Sequence, residues 1–256
     1  MTPILRPLAL LAVLLAGSPA AAEMRVDLEL VLLADASRSI DDREIAFQRQ
    51  GYAKAITDPA VVAAITDTRL GRIALAYVEW AEHGGHDIVV DWRVIDGPEA
   101  ARAFARALGP APRRARGSNA IGSALQFARR MIVENDIAGM RRVIDFSGDS
   151  ANSWSGPPVA SARSEVLEAG ITINALAVLC RDCSGRPVSY DLETAYETGI
   201  VGGPGAFVIT ADSAETFAEA VRRKLILEIA GRAPGPCDGD GPCARLAGRA
   251  PGAALD

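Results

Sequence analysis

The chain has 256 residues, 49% hydrophobic and 23% charged, with a formal net charge of −5. A mildly acidic balance argues against nucleic acid or anionic membrane as the main partner, because both select clustered positive charge that displaces counterions. The local exception, Arg113-Arg114-Ala115-Arg116, reads as a solvated loop.

Residues 1–22 carry one positive charge at Arg6, an apolar run from Leu8 to Leu15 and a small-residue end at Ala20-Ala21-Ala22. This is a signal-peptide pattern: the run is far below the ~20 residues a membrane-spanning helix needs, and no Cys follows to accept a lipid. Cleavage near Ala22 is expected to release a soluble protein to the periplasm or the medium, its charge moving to −6 because one Arg and no acid is lost. No later apolar stretch suggests membrane insertion. The remaining chain suits one domain, residues 23–230, burying roughly 70% of its unfolded surface.

Four cysteines in an exported chain suggest two disulfides. The spacings Cys180-x-x-Cys183 and Cys237-x5-Cys243 favour two local bridges. A redox C-x-x-C opens a helix whose dipole lowers the thiol pKa. Here Ser184-Gly185-Arg186-Pro187 follows, a loop sequence, and a structural bridge is the better reading. Zinc is disfavoured, since His83 and His86 lie far off in sequence.

In chain order, Leu28 to Ala34 is a nearly continuous apolar run, the mark of a strand buried on both faces of a parallel sheet. Asp41-Asp42-Arg43-Glu44 opens a helix to about Ile56, with acids where the dipole favours them. Ile73–Trp80 and Ile88–Val94 form a hairpin about the His83-Gly84-Gly85-His86 turn. Helices are expected at Pro98–Leu108 and Ala120–Glu134, then a strand at Arg142–Ser147 and a helix at Val159–Ala169. A strand at Ile171–Leu179, a short helix at Leu192–Glu197, a strand at Ala206–Thr210 and a helix at Ala214–Ala230 complete the pattern. The alternation predicts a three-layer, doubly wound α/β fold: a mostly parallel six-stranded sheet, one antiparallel edge strand, and helices on both faces. Residues 231–256 turn to Gly, Pro, Ala and Arg without apolar period and are expected to be a tail without regular structure apart from the Cys237–Cys243 loop. That loop's Asp-Gly-Asp-Gly lacks the Glu and spacing of an EF-hand.

The first strand ends at Asp35-Ala36-Ser37-Arg38-Ser39. One carboxylate and two hydroxyls on a curling loop can converge on a hard cation, and oxygen-only donors suit Mg²⁺, Mn²⁺ or Ca²⁺. Equally, Ser39 can cap the following helix while Asp35 bonds loop amides. Context favours the cation. The strand through Val143 delivers Asp149 to the same end of the sheet, and the polar loop Gly117-Ser118-Asn119 opens a helix between them.

With these three loops the sequence resembles von Willebrand factor A domains that carry a metal-ion-dependent adhesion site, from about Asp27 to Ala230. It also resembles a bacterial branch of exported A-like proteins of unknown function. The shared motifs are Val78-Glu79-Trp80, Ile144-Asp145-Phe146-Ser147-Gly148-Asp149, Gly202-Gly203-Pro204-Gly205-Ala206-Phe207 and Arg223-Lys224-Leu225-Ile226-Leu227-Glu228-Ile229-Ala230. The resemblance implies that Ser37 and Ser39 ligate the metal directly, with Asp35 and Asp149 acting directly or through water. It implies a Thr three residues before Gly122, where this chain has Asn119. An Asn carbonyl is still a neutral oxygen ligand, and Ser118 offers a hydroxyl, so metal affinity is what the departure puts in question. The resemblance further implies a non-enzymatic module whose metal accepts an acidic side chain from a protein partner. A metal-assisted hydrolase and a metal-free scaffold are the competing readings; against the hydrolase, G-x-S-x-G is absent and both histidines share one turn. His83 and His86 are candidates for the site's rim. Glu79 and Asp145, within apolar strands, are either hydrogen-bonded structural acids or part of a further site, and the structural role is the better reading for both. Gly202–Gly205 lacks the Lys and Ser/Thr of a phosphate loop and reads as a tight connection.

Overall fold

The structure is a computed structural model that describes residues 23–179, 191–232 and 244–246. The expected signal peptide and all four cysteines lie outside the described residues. Strands β1 (Met24–Asp35), β2 (Ile73–Trp80), β3 (His86–Ile95), β4 (Ile137–Gly148), β5 (Thr172–Val178), β6 (Phe207–Ala211) and β7 (Ala244–Leu246) form one sheet. Their order is β3-β2-β1-β4-β5-β6-β7. β1, β2, β4, β5 and β6 are mutually parallel, and β3 lies antiparallel on β2, which gives the six strands and the edge expected from sequence. β7 extends this sheet antiparallel to β6, a departure from the structureless tail expected of 231–256.

Seven helices are described: α1 (Asp42–Ile56), α2 (Pro59–Thr66), α3 (Pro98–Leu108), α4 (Ile121–Val133), α5 (Val159–Glu168), α6 (Leu192–Gly199) and α7 (Ala214–Ala230). The pleat of β1 sends Leu28, Leu30 and Leu32 to one face and Val31 and Leu33 to the other, so both faces need cover. On the first face they meet Tyr52 of α1, Val61 of α2, Phe104 of α3 and Phe217 of α7. On the second they meet Leu125 of α4, Val166 of α5 and Tyr196 of α6. α2 escaped the sequence reading although it carries its own start signal, Asp58 accepting from Ala60 N–H with Pro59 in the first turn. β4 begins five residues before the expected Arg142, because Ile137–Arg141 is half-buried with Met140 exposed and lacks the apolar run that marks a core strand.

From β1 the chain builds outward to β3, then returns to the other side of β1 as β4. The sheet therefore reverses its winding between β1 and β4. The carboxyl ends of those two strands flank the crevice where doubly wound sheets bind ligands.

Candidate metal centre

Asp35 and Asp149 come from that crevice. Asp35 is the last residue of β1 and 1% exposed; Asp149 follows the last residue of β4 and is also buried. Asp35 Oδ1 accepts from the Ser37 amide at 2.8 Å, which curls the loop and sets Ser37 Oγ 3.3 Å from Ser39 Oγ. Asp35 Oδ2 is buried with no hydrogen-bond partner among the described residues. Burial pushes the Asp35 carboxyl up to about 8, Asp149 adding to the rise, while the amides and hydroxyl around it oppose it. Two buried acids facing one another and two neighbouring hydroxyls form an oxygen-donor set whose full ionisation needs a counter-charge, which fits a hard divalent cation. Among the described residues no three His, Cys, Asp or Glu side chains gather around one point, so hydroxyls have to complete such a set.

Ser39 does not cap the following helix. Asp41 does, accepting from the Arg43 and Glu44 amides while Glu44 returns a bond to the Asp41 amide. Ser39 is thereby left to the loop.

The second loop is tied to the first. Arg38 N–H donates to Gly117 O at 2.8 Å, and Ala120 N–H to Ala81 O at 2.9 Å. Gly117 sits at φ +115°, and a Cβ there would strike the Glu82 side chain, so the loop packs against the β2–β3 turn only with glycine in place. Beside it Ser118 is half-buried and Asn119 buried, the main-chain carbonyl of Asn119 accepting from Trp154 N–H at 2.7 Å.

Several residues that build this end of the sheet were not read from sequence. A Cβ on Gly148 would lie 3.1 Å from Asp35 Oδ2 and 2.9 Å from the Tyr196 hydroxyl, so glycine lets the end of β4 pass close to β1. Trp80 Nε1 donates to Ser147 O, and Tyr196 Oη to Ser150 O, pinning the Asp149 segment from both sides. Arg113, from the cluster read as a solvated loop, reaches inward: its guanidinium donates to Ala36 O, Ser37 O and Asp42. Nothing in the local sequence separates this Arg from its exposed neighbours Arg114 and Arg116.

His83 and His86 turn toward α4. His83 Nδ1 lies 3.0 Å from Ser123 Oγ, and no carboxylate bonds His83 among the described residues. His86 stacks on Phe127 with centroids 4.6 Å apart, and burial drops its pKa to about 4, Arg130 and His83 adding to the fall. Glu79 is the structural acid expected: Arg49 grips both its oxygens, at 2.7 and 2.9 Å.

The family model described as "Protein of unknown function (DUF1194)" matches residues 25–233. The chain belongs to the DUF1194 family. Comparison with curated proteins gives no match. Solved structures share its fold. The pilus adhesin SpaC from Lactobacillus rhamnosus GG superposes with a TM-score of 0.56 at 14% identity, over 80% of this chain and 30% of that one. Proximal thread matrix protein 1 from the mussel byssus gives 0.55 at 18% identity, over 82% and 49%. The von Willebrand factor domain of the type V pili tip protein Mfa5 from Porphyromonas gingivalis gives 0.53 at 10% identity, over 83% of this chain and 98% of that domain. The DUF1194 chain thus has the von Willebrand factor A fold the sequence resembles, and spans less than half of the first two proteins.

Proposed function

We propose that this DUF1194 protein is a non-enzymatic binding module, exported to the periplasm or beyond, that recognises a protein partner through a divalent cation. Asp35, Ser37, Ser39 and Asp149, with Ser118 and Asn119 from the second loop, are the residues we assign to the cation. Mg²⁺ suits the donor set best, with Mn²⁺ and Ca²⁺ as alternatives. The observation that carries the reading is Asp35 Oδ2, buried without a hydrogen bond beside a second acid at the switch point. A buried polar atom without a partner is costly, and this one lies where doubly wound sheets take ligands.

When bound, the cation supplies Lewis acidity for a partner's carboxylate. The chain's own residues prepare the place. Arg113 ties down the first loop through two carbonyls, and the Asp35–Ser37 bond accompanies the approach of Ser37 Oγ to Ser39 Oγ. Neutral hydroxyls preserve the cation's charge for an incoming acid. Support also comes from the company the fold keeps: one crystal form of the mussel protein is described with a zinc-occupied MIDAS motif, at a TM-score of 0.52 and 17% identity, and two other structural relatives are a pilus adhesin and a pilus-tip domain. Among the described residues no helix is long and apolar enough to cross a membrane.

The test is affinity capture from cell-envelope extract with Mg²⁺ or with EDTA. Partner recovery is expected only with Mg²⁺, and only from the parent chain, the double variant Ser37→Ala/Ser39→Ala recovering none while keeping its circular dichroism. Equal recovery in EDTA would refute metal-dependent recognition.

A further inference from the structure

A second constellation lies in the opposite layer of the core, away from the switch point. Lys224 of α7 is 0% exposed, and its Nζ lies 2.6 Å from Asp145 Oδ1 of β4 and 2.7 Å from Glu228 Oε1, one helical turn on. Asp145 and Glu228 are each 1% exposed. The Lys224–Glu228 contact is a hydrogen bond; the shorter approach to Asp145 Oδ1 lacks hydrogen-bond alignment. Nζ is thus in close contact with both carboxyl groups. Asn174 Nδ2 holds Glu228 Oε1 at 2.9 Å, and Asn174 Oδ1 is itself fixed by Phe207 N–H. The Phe207 ring lies 5.9 Å from Nζ. Tyr52, Leu176 and Leu225 belong to the same apolar cluster.

An ion pair in such a place carries a desolvation cost that its attraction only partly offsets. Two acids facing one amine also leave a proton to be shared, and Glu228, pushed up to about 7 chiefly by burial, is disposed to hold it. Amine, acid and proton carrier are fixed together in a dry pocket, where alignment is worth effective molarities on the order of 10⁵–10⁸ M.

We propose that Lys224 and Asp145 condense into an intramolecular amide, Lys224 Nζ to Asp145 Cγ, with Glu228 as the proton carrier. The ammonium first passes one proton to the Asp145 carboxylate, leaving a neutral amine and a neutral acid. The Nζ lone pair adds to Cγ. Glu228, neutral at the start, gives its proton to the departing hydroxyl and recovers one from Nζ. The Cγ–O bond breaks and one water leaves. An ammonium and a carboxylate become an amide and water; charge balances, and no oxidant or reductant is needed. The bond is a modification that staples the last helix to a central strand, and it is independent of the metal reading.

The test is mass spectrometry of the purified, fully reduced chain. The expected mass is that of the purified chain's own sequence, counted from its actual N-terminus, less one water, and trypsin should yield a branched peptide joining residues 143–163 to residues 224–232, with cleavage after Lys224 blocked. Glu228→Gln should restore most of the unlinked mass, and Lys224→Arg all of it. A parent chain at its full sequence mass, giving 143–163 and 225–232 as separate linear peptides, would overturn the proposal. So would a water lost without the branched peptide. The parent measurement decides the matter even if a variant fails to fold.

Discussion

Two pairs of buried acids occupy this sheet, and they differ in where their counter-charge comes from. Asp145 and Glu228 close on Lys224, a cation the chain carries itself. Asp35 faces Asp149 with no Lys or Arg in ion-pair range of Asp35 among the described residues. Neither pair is tolerable as bare charge in a low-dielectric interior. The difference teaches how the same electrostatic problem serves two ends. Inside the core the chain's own amine answers the charge, and on the proposal above its bond to Asp145 makes the arrangement permanent. At the switch point, on the reading proposed above, the missing cation is left to solvent and so can be shared with a partner.

The largest effect should come from breaking the internal pair. Lys224→Met strips Asp145 and Glu228 of the amine they close on, free or already joined to Asp145, and should cost about 3–5 kcal/mol in urea unfolding. A loss below about 1 kcal/mol would mean that the acids find relief elsewhere. Next comes the external pair. Asp149→Asn should remove the stabilisation that Mg²⁺ confers on the parent, about 2.7 kcal/mol at a hundredfold excess over Kd, which thermal unfolding with and without EDTA measures.

Arg113→Ala probes what holds the first loop. It should cost about 1.5–3 kcal/mol through lost bonds to Ala36 O, Ser37 O and Asp42, and weaken Mg²⁺ binding with it. The effect of His86 is confined to acid pH and is the smallest at neutral pH. Its pKa falls from 6.5 unfolded to about 4 folded, so the unfolded chain binds the extra proton across that window and stability is lost as pH drops through it. His86→Phe keeps the ring on Phe127 and should flatten the stability profile between pH 6.5 and about 4. An unchanged slope would assign acid sensitivity to other groups.

The frame of the fold was legible because core strands and amphipathic helices announce themselves. β1 and β2 are buried on both faces and read as apolar runs, and α7 matched its expected limits, Ala214–Ala230. What escaped depends on neighbours rather than on local pattern. β7 pairs with β6 for three residues, a partnership no composition reveals. The candidate metal residues were legible as a spacing on three loops, but their support was not. Gly148, Trp80, Tyr196 and Arg113 act across 46 to 113 positions of sequence through contacts only the fold creates. Lys224 lies in the Arg223–Ala230 motif, yet reads as one polar position of an amphipathic helix until Asp145 is placed beside it.

The most direct test of the central claim is isothermal titration of Mg²⁺ into the EDTA-stripped chain, set beside Asp35→Asn. Saturable binding at one site in the parent, absent in a variant that keeps its circular dichroism, is the predicted result. A parent that takes up no Mg²⁺, Mn²⁺ or Ca²⁺, or a variant that binds as the parent does, would contradict the assignment of Asp35 to a cation.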